Sequence, residues 1–424
     1  MVFILNVLIL IVSLFFYKIY LGNIFNFPNL FNTLWLLMIA FSYQNILNIP
    51  TPSNTTYLYA YLSVVVFNIS SIIFLMKRRN NNDKIDENSR LNIKSKYNLW
   101  TLFFSSVVSF FSLLPSLPSA FQLLRTSGFH EIRKEVFLSE DSGKMLLQWG
   151  INPLIICGIV MSVVLLLNSN EKINKKFLVT ILVISIINCL MYTIIFAGRF
   201  LLMICFISVI FEIVIHYKGR LFKIFFNNIW LAISLVLSII LVIVISNQRV
   251  LSNLSFWNMT YVYFFAPLNL FNVYIENPDF GKLDDLFNGK FIFSGVYTPI
   301  TVLLNRIFKT GFSIPLATLN EVTSNFVWIT PFVHMNNNST YLYAALRDFG
   351  ILGLFIYPMV LAKYFQVVYN NFLMNRTVFT ESLYAYSLAM LVFLLFEWMP
   401  ARINIILAGV FMYLLYKSFF IKLK

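Results

Sequence analysis

Charge is scarce in this chain of 424 residues: Asp, Glu, Lys and Arg together make up 11%, where a soluble domain carries about 25%. Cysteine is scarcer still. Cys157, Cys189 and Cys205 each lie inside an apolar run, so no disulfide framework is implied. The three histidines and few carboxylates form no zinc spacing, so no structural or catalytic metal and no cofactor is expected. There is no Walker A motif, no Gly-x-Ser-x-Gly, no internal repeat, no Gly/Ser linker and no coiled-coil heptad. No Asp-Asp or Asp-Glu pair occupies residues 50–56, which argues against the metal-dependent lipid-phosphate-sugar transferases. The chain begins Met-Val-Phe-Ile-Leu, with neither a basic n-region nor a small-residue cleavage site, and reads as a first span rather than a removable signal peptide.

Apolar residues are abundant instead. Hydrophobic types make up 59% and mean hydropathy is +0.79. A chain this long and this apolar cannot hide its surface in one aqueous core, so its solvent must be lipid. Soluble enzymes, nucleic-acid binders and disordered proteins are thereby excluded. The formal charge of +14 would suggest nucleic acid in a soluble protein. Here it reflects the Lys/Arg bias of cytoplasmic loops.

A helix needs about 20 mostly apolar residues to cross the hydrocarbon core. Eleven stretches qualify: 2–21, 30–49, 57–76, 99–121, 146–167, 177–196, 200–217, 227–247, 341–364, 378–397 and 403–420. The expected class is an all-α polytopic membrane bundle of 11 to 13 spans. Barrel strands are not expected, because they alternate and are shorter. Alternating the eleven spans puts the basic loops 77–98, 168–176 and 218–226 and the tail on one side, with Lys18, Lys363 and Arg376. That side holds 19 of the 31 Lys and Arg residues and is assigned to the cytoplasm.

Residues 256–275 and 291–308 are apolar too, but Pro267 and Pro299 interrupt them, and Asn258, Asn269 and Asn272 punctuate the first. They read as amphipathic or re-entrant helices inside one large external segment. The expected organisation is spans in 1–247, an external segment 248–340, and further spans in 341–424.

Charges at membrane depth are costly and usually functional. Arg199 follows Gly198 and opens the 200–217 span, where the helix dipole does not favour a cation. An anion bound there would suit both groups; an arginine snorkelling to headgroups is the alternative. Arg402 repeats the pattern in Glu397-Trp398-Met399-Pro400-Ala401-Arg402, with a simple Glu397 pairing as its alternative. Arg249 follows the end of the 227–247 span, where the dipole already favours a cation. The loop 125–145 mixes Arg125, His130, Arg133 and Lys134 with Glu131, Glu135, Glu140 and Asp141, as a solvated loop would.

The run His334-Met335-Asn336-Asn337-Asn338-Ser339-Thr340-Tyr341 caps a helix. It continues through Tyr343, Arg347 and Asp348 to Gly350 and Gly353. Asn338, Tyr341, Ala345 and Asp348 share one face, and the two glycines permit close packing. An internal Arg347–Asp348 pair that fixes packing is the alternative to a functional role. A lone external His334 is weak as a catalytic signal.

These segments resemble the oligosaccharide repeat-unit polymerases of bacterial O-antigen and capsule synthesis, the Wzy family. The resemblance rests on Glu131-Ile132-Arg133, on Gly198-Arg199-Phe200-Leu201-Leu202, and on the long external segment with Tyr263-Phe264-Phe265-Ala266-Pro267. Most specific is Asn338-Ser339-Thr340-Tyr341 through Asp348-Phe349-Gly350-Ile351-Leu352-Gly353. It implies a GT-C-like fold in the bacterial inner membrane. It also implies metal-independent transfer of an undecaprenyl-diphosphate-linked glycan onto another lipid-linked repeat. A Wzz-type chain-length regulator and a flippase would be companions. On this reading Arg199, Arg402, Arg249 and Arg133 hold the departing diphosphate. Asp348 or His334 serves the acceptor hydroxyl as base, and Asn338, Tyr341, Tyr343 and Arg347 bind glycan. An O-antigen ligase, a lipid-linked oligosaccharide flippase or other transporter, and an acyltransferase or structural membrane protein are the competing readings.

Overall fold

The computed structural model describes residues 2–79, 99–123, 125, 145, 147–168, 174–196, 198–217, 256–336 and 339–418. Among them the chain is mostly helical. In order come α1 (Val2–Leu21), α2 (Phe27–Ser42), α3 (Asn54–Arg79) and α4 (Leu99–Leu113). A turn of π-helix at Leu147–Ile151 leads into α5 (Asn152–Leu167), followed by α6 (Lys175–Ile195) and α7 (Phe200–His216). Next are α8 (Phe256–Phe265), α9 (Pro267–Glu276), α10 (Pro278–Gly281), α11 (Ser294–Phe308) and α12 (Pro315–Thr323). A hairpin of β1 (Val327–Thr330) and β2 (Val333–Met335) precedes α13 (Thr340–Phe349), α14 (Gly353–Met374), α15 (Val378–Phe393) and α16 (Ile403–Ser418).

Six described segments are long and apolar enough to cross a membrane: Phe3–Leu21, Asn54–Leu75, Leu99–Leu123, Leu147–Leu167, Lys175–Ile195 and Thr340–Met374. Helices α2, α7, α15 and α16 are apolar but shorter. The stretch 227–247 lies outside the described residues. Two other stretches depart from the sequence expectation. The helix expected over 30–49 stops at Ser42, because Asn45, Leu47 and Asn48 adopt left-handed φ values that no helix continues through. The span expected over 341–364 is two helices, broken where Gly350 takes φ 57°. Glycine alone adopts that backbone cheaply. Among the described residues the helical class has one small exception, the antiparallel hairpin. There Val327 pairs with Met335 and Trp328 with His334, and Thr330 Oγ1 accepts the turn N–H groups of Phe332 and Val333.

The chain forms two compact units, each assembled from several stretches of the sequence. One comprises Met1–Lys84, Ser252–Val367 and Met390–Ile403; the other comprises Ile85–Leu251, Val368–Ala389 and Asn404–Lys424. Polar side chains join the helices of each, as befits a bundle in which apolar contact with a neighbour is no better than contact with lipid. In the first unit Tyr17 Oη donates to Asn68 Oδ1 at 2.8 Å, and Asn32 and Asn68 exchange amide hydrogen bonds. Asn272 Oδ1 of α9 accepts from Ser53 N, Ser53 Oγ and Thr56 Oγ1 at 2.7–2.8 Å. Asn269 Nδ2 donates to Pro50 O at 2.6 Å. The asparagines that made this segment look unlike a span are what pin α9 to the turn before α3.

In the second unit Ser106 and Ser185 share a 2.9 Å hydrogen bond, and Asn188 Nδ2 donates to Ser106 O. Gly158 of α5 faces both serines so closely that a side chain there would collide with Ser185 Oγ. Each such interhelical bond is worth about 0.6 kcal/mol on average. The close approach they accompany contributes the rest.

A candidate functional site around helix 340 to 349

Helix α13 begins under strain. Thr340 has φ 63°, a left-handed backbone that costs a β-branched residue about 1–3 kcal/mol. It is held there because Tyr341 N donates to Leu394 O at 3.0 Å and Leu342 N to Thr340 Oγ1 at 3.3 Å. Ser339 stands at the N-cap position but makes no capping hydrogen bond. At the other end a Cβ on Gly353 would land on the carbonyl of Ala345, so the second glycine is required for the chain to double back so tightly.

Every residue from Thr340 to Asp348 is buried. Tyr341 shares a short hydrogen bond with Ser63 and packs edge-on against Trp35. Tyr343 donates its hydroxyl proton to Gly281 O at 2.9 Å and lies against Tyr274. Asp348 is a fully engaged acceptor. Its Oδ1 takes the N–H groups of Gly289 and Phe291 at 2.8 and 3.2 Å. Its Oδ2 takes Ile292 N at 2.9 Å and the Tyr357 hydroxyl at 3.0 Å. The carbonyls of Arg347 and Asp348 accept Phe287 N and Asn288 N, so the turn 287–292 is clasped to the C-terminus of α13. Gly289, at φ 90°, fits this turn with Phe349 against it.

Arg347 is the opposite case. Its side chain is fully buried, yet only Nη1 is bonded, to Gly281 O and Tyr343 Oη at 3.2 Å each. Nε and Nη2 have no hydrogen-bond partner. Among the described residues no carboxylate pairs with this guanidinium; the Phe287 ring lies 4.9 Å from it. The internal Arg347–Asp348 pair that the sequence allowed does not form.

The remaining expected residues stand on other elements or lie outside the described residues. His334 is half-buried on β2, with its ring against Phe326 and Trp328. Arg402 makes a bidentate ion pair with Glu397, at 2.6 and 2.8 Å, across the Met399–Ala401 turn. Arg199 belongs to the other unit, where it occupies the N-cap position of α7 without a capping hydrogen bond and is half-buried. Arg133, Arg249 and Asn338 lie outside the described residues.

One polar cluster stands apart from the residues expected from the sequence. In the second unit Arg376 grips Glu381 bidentately at 2.9 and 3.0 Å, and Asn168 Nδ2 approaches the same carboxylate at 3.4 Å. Glu381 and Glu212 are both fully buried and neighbour each other, and neither oxygen of Glu212 has a hydrogen-bond donor. The available signal was an acidic residue standing alone inside an apolar helix, at Glu212 in α7 and Glu381 in α15. Among the described residues no group of three or more His, Cys, Asp and Glu side chains is arranged to hold a metal ion.

Comparison with protein-family models, with curated proteins and with solved structures found no match to this chain.

Proposed function

We propose that this chain is a repeat-unit polymerase. It transfers an undecaprenyl-diphosphate-linked glycan onto a second lipid-linked repeat at the outer face of the bacterial inner membrane. On this reading the chain has about eleven spans, and 248–340 is an external segment carrying the amphipathic helices. The observation that carries the proposal is Arg347. A buried guanidinium with two unpaired nitrogens, and no carboxylate against it among the described residues, needs an anionic or acceptor-rich ligand to offset it. It stands in the segment of closest resemblance to the polymerases.

In the proposed reaction an acceptor hydroxyl attacks the anomeric carbon of the donor sugar. The bond to the diphosphate oxygen breaks, and undecaprenyl diphosphate leaves with the negative charge. Placed guanidinium groups stabilise that charge in a low-dielectric site without a metal. Arg199 and Arg402 remain candidates for this role, as do Arg249 and Arg133. Arg402 would act together with Glu397, which already takes part of its charge. Four donors already occupy the carboxylate oxygens of Asp348, which favours a positioning role for it. His334, whose ring is half-buried and stacked rather than clamped, is the better candidate to accept the hydroxyl proton.

The test is purified protein with a synthetic lipid-linked repeat unit, scored on a gel. A ladder of products supports polymerisation. A single transfer that occurs only when lipid A core is supplied would instead make the protein a ligase. No covalent product from either acceptor would remove the transferase reading.

A further inference from the structure

Helix α11 is amphipathic in the reverse of the aqueous sense. Its buried residues are small and polar: Ser294, Gly295, Thr298 and Thr301. Ser294 and Thr298 share a hydrogen bond, and α11 packs against α12 and the Met399–Ala401 turn. The opposite face carries Phe293, Val296, Ile300, Leu303 and Ile307, spaced by three and four residues, which puts them on one stripe. Each is between 50% and 67% exposed. A stripe of this kind would be a liability in water. From Phe291 to Asn305 no charged residue occurs, while exposed Lys290 stands before the run and exposed Arg306 and Lys309 stand after it.

We propose that this stripe is immersed in the acyl chains of one bilayer leaflet, with α11 lying along the membrane plane. Three observations choose lipid over other occupants. The same unit carries α1, whose exposed residues Leu8, Val12 and Ile19 form a surface of the same chemistry on a helix long enough to span. At 15 residues α11 is about 22 Å long, too short for a hydrocarbon core of about 30 Å. What sets α11 apart from the apolar helices of similar length, α2, α7, α15 and α16, is its polar face and its internal Pro299. A helix with a single apolar stripe settles in the plane of the interface. The bracketing Lys290, Arg306 and Lys309 would then meet lipid phosphates at the edge of the stripe. The inference deepens the external-segment part of the proposed function. It rests on the membrane reading of the chain and not on the transfer reaction.

The experiment is nitroxide labelling of single cysteines introduced as Ile300→Cys and Leu303→Cys. The full chain is reconstituted in vesicles of phosphatidylcholine and phosphatidylglycerol. Ile19→Cys serves as the lipid reference and Asp284→Cys as the aqueous one. Unsubstituted protein, whose three cysteines are buried, is the labelling blank. Labels at 300 and 303 should collide with oxygen several times more often than with a water-soluble nickel chelate, as at 19 and opposite to 284. Nickel access like that at 284 would overturn the proposal, because the stripe would then face water. Low collision with both reagents, with spin–spin broadening that vanishes on dilution with unlabelled protein, would overturn it in favour of a second copy. A water-like reading at 19 as well would overturn the membrane reading beneath it. Glycan transfer is scored separately on the gel, so loss of either proposal is distinguishable from loss of the other.

Discussion

Arg347 and Asp348 are adjacent in sequence, both fully buried, and no ion pair joins them. The carboxylate is fully engaged by the turn 287–292 and Tyr357, whereas the guanidinium has two nitrogens with no partner. Helix geometry explains the separation. Consecutive residues on a helix point about 100° apart, so each meets a different wall of the protein. The consequence is a division of labour in which one residue holds backbone and the other presents unpaired charge.

Asp348 should therefore be the more important of the two for stability. Asp348→Asn cannot accept from all four donors and is expected to cost about 1–3 kcal/mol; Asp348→Ala should cost more. Thermal unfolding in detergent measures the loss. Hydrogen exchange at the amides of Gly289, Phe291 and Ile292 localises it. Unchanged protection of those three amides in Asp348→Ala would refute the clasp.

Arg347 should behave in the reverse way. Arg347→Met removes an uncompensated buried charge while keeping most of the volume. Gly281 O keeps its hydrogen bond from Tyr343. The variant is expected to unfold at the same temperature as the parent or higher, yet to make little or no long-chain glycan. A variant that loses stability and transfer together would reduce Arg347 to a structural part.

Arg199 tests the proposed role in binding diphosphate. Lysine keeps the charge but offers only a compact point charge in place of a planar fork. Arg199→Lys is expected to lose much of the activity and Arg199→Ala nearly all of it. Each lost charge-assisted contact is worth about 1.5–3 kcal/mol, or about ten- to a hundredfold in rate. Long-chain glycan at matched membrane abundance is the readout. Normal polymerisation by Arg199→Ala would make the residue a headgroup anchor.

The Arg376–Glu381 pair gives a stability prediction independent of function. Glu381 is fully buried and Arg376 about a quarter exposed. Removing the arginine alone leaves a buried carboxylate beside Glu212, so Arg376→Ala should destabilise by about 3 kcal/mol. The double variant Arg376→Ala with Glu381→Gln should recover most of that. Melting temperatures of the two singles and the double decide it; strictly additive losses would show that the pair does not act as a unit.

Topology can be checked in intact cells. Cysteine at Asn81 should be shielded from an impermeant maleimide and cysteine at Asn288 should react. Equal labelling of both would end the orientation argument built on the basic loops.

How much of this was legible beforehand differs from residue to residue. Helices α1, α3, α5 and α6 could be read directly, since a run of about 20 apolar residues has one stable state in lipid. The end of α2 could not, because the left-handed Asn45, Leu47 and Asn48 leave no compositional mark. The segment Thr340–Gly353 stood out as a cluster of polar and small residues, but the break at Gly350 and the strain at Thr340 did not. Glu212 and Glu381 were visible as lone acids in apolar helices. That they are neighbours was not, for they lie on helices far apart in the sequence.

The amino-acid sequence by itself determined the solvent of this protein. With 59% hydrophobic and 11% charged residues, no arrangement of the chain could bury its apolar surface away from lipid. It determined most of the helix positions for the same reason, because backbone groups in hydrocarbon must bond within their own segment. Only the tertiary structure decided the fate of each polar side chain. Asp348 is satisfied because the turn 287–292 lies against it, Arg347 is not because no described carboxylate does, and Glu381 is because Arg376 folds back upon it. A polar group in a low-dielectric interior takes its meaning from what lies within about 3 Å of it. In a bundle those partners come from helices that the linear order does not place side by side.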